Sequence, residues 1–193
     1  MINILKICLF LAKNHDNDYT MHQLSDILGV PYASFYRYVQ QLHKQKILNL
    51  TKIGQSKIVK LNFSYPVVKA HLVHAAFDEM REFNNQNIQI KKITEELNTK
   101  DSVILFGSYA KGTATKRSDI DLLILNNTGK RTVSFSKYET LFKCKINPIF
   151  MTYKEFRLML KAADENLGKQ VVKHHIVLNN HDAFWECVLN GIQ

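Results

Sequence analysis

The fold of this chain is decided by one stretch, Val103-Ile-Leu-Phe-Gly107-Ser108-Tyr-Ala-Lys-Gly112-Thr-Ala-Thr-Lys-Arg-Ser118-Asp119-Ile-Asp121-Leu-Leu-Ile-Leu125. Two apolar runs flank a glycine-serine pair and a short polar segment, which predicts a strand, a helix and a second strand. Alternate residues of a strand point to the same face. We therefore expect Asp119 and Asp121 to project together, while Ile120 and Leu122 face a core.

The two carboxylates and the glycine-serine turn predict one shared ligand. Two like charges side by side cost free energy unless a cation neutralises them, and Mg2+ prefers carboxylate and phosphate oxygens. Gly107 has no Cβ, so the backbone there can approach a phosphate closely, and the N–H groups at a helix start face an anion. The stretch thus predicts a nucleoside triphosphate site, with phosphates on Gly107 and Ser108 and metal on Asp119 and Asp121.

The same residues carry a resemblance to a known family. Gly107-Ser108, ten residues, then Asp119-Ile-Asp121 resembles the signature of the minimal nucleotidyltransferases of the DNA polymerase beta superfamily, and the surrounding residues match as well. The resemblance implies that an acceptor hydroxyl attacks the α-phosphorus of an NTP, with ATP as the expected donor, and that pyrophosphate leaves. It further implies two Mg2+ ions on Asp119 and Asp121. The candidate nucleotide contacts are Gly107, Ser108, Lys111 and Ser118, and either Lys111 or Arg117 is expected to offset the charge of the leaving pyrophosphate.

One position departs from that family's pattern. A neighbouring strand of the resembled family supplies a third carboxylate, which holds metal and accepts the proton of the attacking hydroxyl, and the matching position here is Asn147. An amide is uncharged and cannot act as a general base. Three explanations stay open: two carboxylates suffice, another group such as Glu139 substitutes, or the domain binds nucleotide without turnover. The intact aspartate pair favours catalysis over binding alone.

Composition and charge narrow the class of protein. The 193 residues are 46% hydrophobic and 10% aromatic, which is enough for packed cores in one medium domain or two small ones. Lys and Arg number 26 against 17 Asp and Glu, and the net charge of +9 suggests a polyanionic partner. Cys8, Cys144 and Cys187 lie far apart, which argues against a disulfide framework or zinc site and favours the cytoplasm. No stretch is long enough to span a membrane.

The N-terminal part of the chain predicts three helices and a hairpin. Apolar spacing and capping residues place helices over residues 2–13, from Thr20 as N-cap to Leu28, and from Pro31 to about Lys46. Two alternating segments joined around Gly54 predict a β-hairpin. This layout resembles a winged helix-turn-helix, although Lys46 stands where such helices often end in glycine. The resemblance implies that the third helix enters the DNA major groove while the hairpin, or wing, touches the backbone.

Polar side chains on the outward face of the third helix and on the wing are the candidate DNA contacts. They are Ser34, Tyr36, Arg37, Gln40, Gln41 and Lys44 on the helix, and Lys52 and Lys57 on the wing. Such side chains contact phosphates and base edges. Residues 1–64 hold eight Lys and Arg against three Asp, which favours DNA binding over the alternative, a polar face on a domain that forms a homodimer.

A junction at Ser64-Tyr65-Pro66 divides the chain into two predicted domains. A proline disfavours the helical conformation at the residue before it, so no helix is expected to run through this segment. Residues 1–64 are the winged helix-turn-helix, and residues 65–193 are a small mixed-sheet nucleotidyltransferase domain with flanking helices, so the fold class is α+β. Predicted helices cover residues 67–83, 88–97, 134–142 with Ser134 as cap, 153–163, 167–173 and 183–189, and predicted strands cover 145–151 and 176–178. We expect His174 and His175 at the surface, and Phe184 and Trp185 in the core.

Two functional hypotheses from different classes follow. The first is a Mg-dependent transferase that moves NMP from an NTP to a hydroxyl of a protein or RNA. One branch of the resembled family, the antitoxin partners of HEPN toxins, shares the glycine-serine and Asp-x-Asp spacing and transfers AMP to the toxin. The second is a DNA-binding transcriptional regulator whose degenerate transferase domain senses a nucleotide without catalysis. A third, a plain interaction module, would bind neither nucleotide nor DNA.

Overall fold

The computed structural model describes residues 4–192, and Ile2, in the first predicted helix, lies outside them. The chain divides into two compact units, Met1–Ala75 and Ala76–Gln193. The division falls inside the helix Val67–Gln86, whereas the sequence predicts a junction just before that helix. Helices and two sheets occur together among the described residues, so the α+β class is confirmed. None of the helices within residues 4–192 is both long and apolar enough to cross a bilayer.

The first unit combines helices with a small antiparallel sheet. Its elements are α1 Ile4–Lys13, β1 Tyr19–Thr20, α2 Met21–Ile27, α3 Tyr32–Lys44, β2 Leu48–Ile53 and β3 Ser56–Leu61. Strand β3 lies between β1 and β2 and pairs antiparallel with both. The predicted helices and hairpin are thus confirmed over the described residues.

Local sequence explains where α2 and α3 begin. The Thr20 hydroxyl accepts a hydrogen bond from the Gln23 N–H at 3.2 Å, and the Gln23 side chain accepts one from the Thr20 N–H at 2.8 Å. This reciprocal capping box satisfies two N–H groups at the start of α2. Helix α3 starts after Pro31, whose fixed φ suits a helix entrance. Its inner face is buried through Phe35, Val39 and Leu42.

Lys46 ends α3 in a conformation that glycine adopts more easily. Its φ is +63°. The N–H groups of Lys46 and Ile47 donate to the carbonyls of His43 and Leu42, both at 2.9 Å, which is a Schellman-type helix end. A left-handed residue with a Cβ costs roughly 1–2 kcal/mol. Lysine in place of glycine therefore raises the free energy of this turn without changing the path of the backbone.

The second unit is built on a mixed sheet, which in the described residues has four strands. After α4 Val67–Gln86, the elements are α5 Ile88–Glu96, β4 Ser102–Phe106, α6 Gly107–Ala110, β5 Ile120–Asn126, α7 Ser136–Phe142, β6 Ile146–Thr152, α8 Tyr153–Lys161, α9 Leu167–Lys173, β7 Ile176–Asn179 and α10 His181–Ile192. The strand order is β6-β5-β4-β7. Strand β4 is antiparallel to both neighbours, and β5 and β6 are parallel.

The core of the second unit fixes the faces of β5. Ile120, Leu122 and Ile124 are fully buried and belong to one cluster with Ile90 and Ile93 of α5. Because side chains alternate along a strand, these apolar residues turn the residues on either side of Ile120 to the opposite face. The predicted alternation around the aspartates is therefore confirmed.

Strand β6 forms one edge of this sheet, and Pro148 lies within it. Pro148 is aligned with Leu122 of β5. Proline has no N–H to donate, so within sheets it is confined to edge strands, first residues or bulges. The position of Pro148 therefore agrees with an edge strand.

Two local predictions in the second unit are wrong. Helix α7 begins at Ser136 with Phe135 at the N-cap, and no side-chain cap bond forms there. The Ser134 hydroxyl instead lies 3.1 Å from the Ser136 hydroxyl, so Ser134 is not the cap. The polar break predicted over residues 84–87 is also shorter, because α4 continues through Gln86.

His175 corrects a third prediction, since it belongs to the core. Its side chain is 1% exposed, and its ring centroid lies 4.8 Å from that of Phe184 and 5.6 Å from that of Trp185. Its Nδ1 is 2.9 Å from the Val171 carbonyl oxygen. Adjacent side chains diverge, so His174 alone of the two histidines is exposed.

Acid should destabilise the second unit through His181. Burial lowers the pKa of His181 to about 4, and its ring packs edge-on against Phe77 with centroids 5.7 Å apart. The unfolded chain takes up this proton near pH 6.5, before the folded chain does. The stabilisation is therefore complete above about pH 6.5 and is lost as pH falls towards 4, by about 3 kcal/mol.

Denaturant unfolding at several pH values measures this effect. His181→Gln should flatten the dependence of the free energy of unfolding on pH, because it removes the group that titrates. An equal pH dependence in wild type and His181→Gln would show that another group titrates.

Candidate active site

The two aspartates meet at the start of β5. Asp121 is the second residue of that strand, and Asp119 immediately precedes it. Ile120 between them is fully buried, while both aspartates are half-buried. The side-chain nitrogen of Asn147 lies 3.2 Å from one carboxylate oxygen of each aspartate. The structure therefore brings the two carboxylates to one place.

Asn147 reaches the pair because β5 and β6 are parallel. Asp121 and Asn147 stand opposite each other in that register. The Asn147 amide donates hydrogen bonds to both carboxylates, so a neutral donor occupies the position where the resembled family has a carboxylate. A half-turn of the amide would present its oxygen to the same point. In this orientation the Asn147 amide reduces the repulsion between the two carboxylates. After a half-turn its oxygen could bind a metal ion.

Lys145 places a positive charge beside the pair. Its Nζ lies 3.9 Å from the Asp119 Oδ2 atom, and its side chain is 69% exposed. Exposed ion pairs of this kind stabilise only weakly. The sequence analysis did not single out Lys145. Its position could have been inferred, because Lys145 and Asn147 are two residues apart in the predicted strand 145–151 and therefore point to the same face.

Gly107 is in direct contact with Asp121. Its φ is +71°, and a Cβ added there would overlap the Asp121 carboxylate and lie 3.1 Å from its Cγ. Phe106, the residue before it, stands opposite Asp121 in the β4–β5 pairing. The glycine-serine turn and the aspartate pair therefore lie at the same end of neighbouring strands. Only a residue without a Cβ leaves room for the carboxylate.

The other residues predicted to bind nucleotide lie around this turn. The intervening helix, α6, is a single turn, and Ser108 within it is half-buried. Lys111 is exposed at the end of α6. The Ser118 hydroxyl accepts a hydrogen bond from the Thr115 N–H at 2.8 Å and so shapes the loop before Asp119. The structure thus places Gly107 against Asp121 and leaves Lys111 and Ser118 on the adjoining turn and loop.

Glu139 already has a structural partner. Its carboxylate accepts a hydrogen bond from the Ile146 N–H at 3.0 Å, at the start of β6. This contact argues against Glu139 as the substitute for the third carboxylate. Among the residues that the structure describes, no group of three or more His, Cys, Asp and Glu side chains is arranged to hold a metal. The donors at the site are therefore two carboxylates and one amide.

Cys144 lies near Asp119, Tyr109 lies near Cys144, and both side chains stay protonated at neutral pH. Burial raises the pKa of the Cys144 thiol, and the Glu139 and Asp119 carboxylates raise it further. Burial also raises the pKa of Tyr109, with a smaller contribution from Cys144. Neither side chain can therefore act as a base for an attacking hydroxyl.

A cleft of about 440 Å³ adjoins the glycine-serine turn. It is lined by Phe83, Gln86, Asn87, Tyr109, Ala110, Lys111, Gly112 and Ala114. Its volume falls in the range of roughly 300–1,000 Å³ that small-molecule sites occupy. Sequence reasoning missed this cleft because its two sides come from distant segments, the α4–α5 junction and the turn after β4.

The candidate DNA contacts of the first unit are mostly exposed. Tyr36, Arg37, Gln41, Lys44, Lys52 and Lys57 are exposed, and Ser34 and Gln40 are half-buried. The Ser34 hydroxyl accepts a hydrogen bond from Arg37 at 3.3 Å. The helix residues lie on the side of α3 opposite Phe35, Val39 and Leu42, although the Gln40 side-chain nitrogen is buried, and Lys52 and Lys57 lie on the two strands of the hairpin.

Part of the chain is similar in sequence to known proteins. Residues 88–178 match a family model described as "Nucleotidyltransferase domain". A protein of Methanocaldococcus jannaschii named "Putative protein adenylyltransferase MJ1305" is 34% identical over 101 residues, which cover 48% of this chain and 67% of that protein. No solved structure gave a significant match. The matched range contains the glycine-serine turn, both aspartates and Asn147, and the chain belongs to the nucleotidyltransferase domain family.

Proposed function

We propose that this protein is a Mg-dependent nucleotidyltransferase that moves AMP from ATP to a hydroxyl group of a protein. The observation that carries the proposal is the meeting of Asp119 and Asp121 beside Gly107, at one end of two neighbouring strands. The relative whose name specifies protein adenylyltransferase supports ATP as donor and a protein as acceptor. An RNA acceptor remains the alternative within the same chemistry.

The donor set fits Mg2+ when nucleotide is present. Mg2+ is commonly bound through one or two carboxylates, substrate phosphates and several waters. Asp119 and Asp121 would hold up to two ions, with the Asn147 amide oxygen as a neutral addition. Bound Mg2+ would neutralise the charge of the phosphates and polarise the α-phosphate.

The chain's own residues position the triphosphate. The backbone at Gly107 admits a phosphate, the Ser108 hydroxyl and nearby N–H groups donate to it, and Lys111 offsets the charge of the leaving pyrophosphate. The acceptor hydroxyl attacks the α-phosphorus, and the bond to pyrophosphate breaks. Because Asn147 cannot take a proton, the proton of that hydroxyl passes to one of the aspartates or to water. We therefore expect slow turnover.

We further propose that residues 1–64 form a winged helix-turn-helix that binds DNA. The order of helices and strands, the antiparallel hairpin and the exposed polar face of α3 support this proposal. In that arrangement α3 would contact the major groove and Lys57 on β3 would contact the backbone. The alternative use of the same face is formation of a homodimer.

A second candidate function is a DNA-binding regulator that senses nucleotide without catalysis. The observation that favours it is Asn147, whose amide engages both aspartates where a catalytic carboxylate is expected. Under this hypothesis the bound nucleotide changes the affinity for DNA and is released intact.

Transfer of label separates the two functions. Wild type is incubated with each α-labelled NTP and Mg2+, alone and with cell lysate with or without ribonuclease. We expect label from ATP on a protein band.

Asn147→Asp restores a third carboxylate and should raise the rate of transfer by at least about tenfold. Asn147→Ala is the matched control and should not raise it. Mg-dependent NTP binding with no transfer by wild type or Asn147→Asp, together with a DNA affinity that changes when nucleotide is added, would establish the regulator instead.

A further inference from the structure

Helix α8 presents an exposed basic face that the proposed chemistry does not use. Lys154, Arg157 and Lys161 are spaced at positions i, i+3 and i+7, which puts them on one side of the helix. Leu158 stands among them and is 60% exposed. The opposite side of α8 is buried through Phe156 and Leu160, so the basic side faces outward.

These side chains line a groove of about 310 Å³ together with Asn190 of α10. We call it the α8 groove. The Asn190 side chain donates to Glu186 at 3.2 Å, which places one carboxylate on the α10 side. Lys154, Arg157 and Lys161 on the α8 side give the lining itself a positive charge.

The acidic residue within α8 does not neutralise this charge. The Glu155 carboxylate turns back to the start of its own helix, where it accepts hydrogen bonds from the Thr152 N–H at 2.7 Å and the Thr152 hydroxyl at 2.8 Å. These bonds lower the pKa of Glu155. Its charge is therefore committed to the capping box.

We propose that the α8 groove docks an acidic, leucine-bearing segment of the acceptor protein. The arrangement is that of a small protein interface, with an apolar centre at Leu158 and a charged rim. The three cations select an acidic partner and speed its encounter. A nucleic acid backbone would match the cations but would leave Leu158 without an apolar partner. The identity of the partner as the acceptor protein rests on the proposed transfer to a protein. Binding of an acidic, leucine-bearing segment to the groove does not depend on that transfer.

Peptide binding tests the groove without any requirement for catalysis. The probe is a fluorescent synthetic peptide of glutamates interrupted by leucines, titrated with full-length protein. Lys154→Glu with Lys161→Glu should weaken binding by about tenfold, and Leu158→Ser by about fivefold. Lys154→Arg with Lys161→Arg keeps the charge and should bind as wild type does. Lys91→Glu with Lys100→Glu, at two exposed positions outside the groove, changes the net charge by the same amount and is the control for that change.

Three outcomes would overturn the proposal. One is equal peptide binding by wild type and the Lys154→Glu, Lys161→Glu variant, and another is equal weakening by the Lys91→Glu, Lys100→Glu variant. The third is tighter binding of a single-stranded RNA than of the peptide, lost in the same variant, which would assign the groove to nucleic acid. If wild type transfers no label, the proposed function fails, and the peptide titration still decides the groove.

When transfer is observed, the same charge-reversed variant gives a kinetic test. The KM for the acceptor protein should rise by about tenfold while kcat and Mg-dependent ATP binding stay near wild type. A fall in kcat with an unchanged KM would contradict docking at the α8 groove.

Discussion

Replacing Asp121 by asparagine is expected to reduce label transfer by about a thousandfold or more. The substitution keeps the size of the side chain that packs against Gly107 and removes the charge that would hold Mg2+. It also relieves repulsion from Asp119, so the variant should be at least as stable as wild type in EDTA. Initial rates with α-labelled ATP at saturating Mg2+, together with thermal unfolding in EDTA, measure both effects.

Asp164→Asn is the matched control for this substitution. Asp164 is an exposed residue between α8 and α9, so the same chemical change there should leave the rate unchanged. A rate for Asp121→Asn within about tenfold of wild type would show that the pair does not carry the reaction.

Gly107→Ala is expected to damage both stability and transfer. Alanine must adopt a φ near +71°, and its Cβ would overlap the Asp121 carboxylate. The strained backbone and the forced contact together should lower the free energy of unfolding by roughly 2–4 kcal/mol. Rotation of Asp121 can relieve the overlap only by moving its carboxylate away from the metal position. Denaturant unfolding and the Mg2+ dependence of the transfer rate measure the two effects.

Gly112→Ala separates backbone strain from the contact with Asp121. The φ of Gly112 is +70°, nearly that of Gly107, but a Cβ there meets nothing within 4 Å. This variant should lose only roughly 1–2 kcal/mol. Equal losses of stability and transfer in the two variants would show that contact with Asp121 is not what requires glycine at position 107.

Local patterns in the sequence predicted much of the site. The alternation of Asp119, Ile120 and Asp121 depends only on strand geometry and on burial of the apolar residues, so it could be inferred without a fold. The capping residue Thr20 acts within one helical turn and was predicted correctly for the same reason. These features depend on neighbours a few residues away.

Features that depend on distant residues were harder to predict. The contact of Lys145 with Asp119 follows from the parallel register of β5 and β6, and the cleft beside Tyr109 requires the α4–α5 junction to pack next to the turn after β4. His175 is polar in sequence but fills a space between Phe184 and Trp185. Tertiary packing determined these positions, and no local pattern encodes it.

Pro148 has a consequence for how copies of this protein can associate. An exposed strand edge offers a ladder of donors and acceptors on which a second chain can add a strand. Strand β6 interrupts that ladder with a ring nitrogen that has no hydrogen, and the opposite edge, β7, spans only Ile176–Asn179. Continuous extension of this sheet from one molecule to the next is therefore disfavoured. Stable self-association, where it occurs, would rely on side-chain surfaces and not on strands added to this sheet.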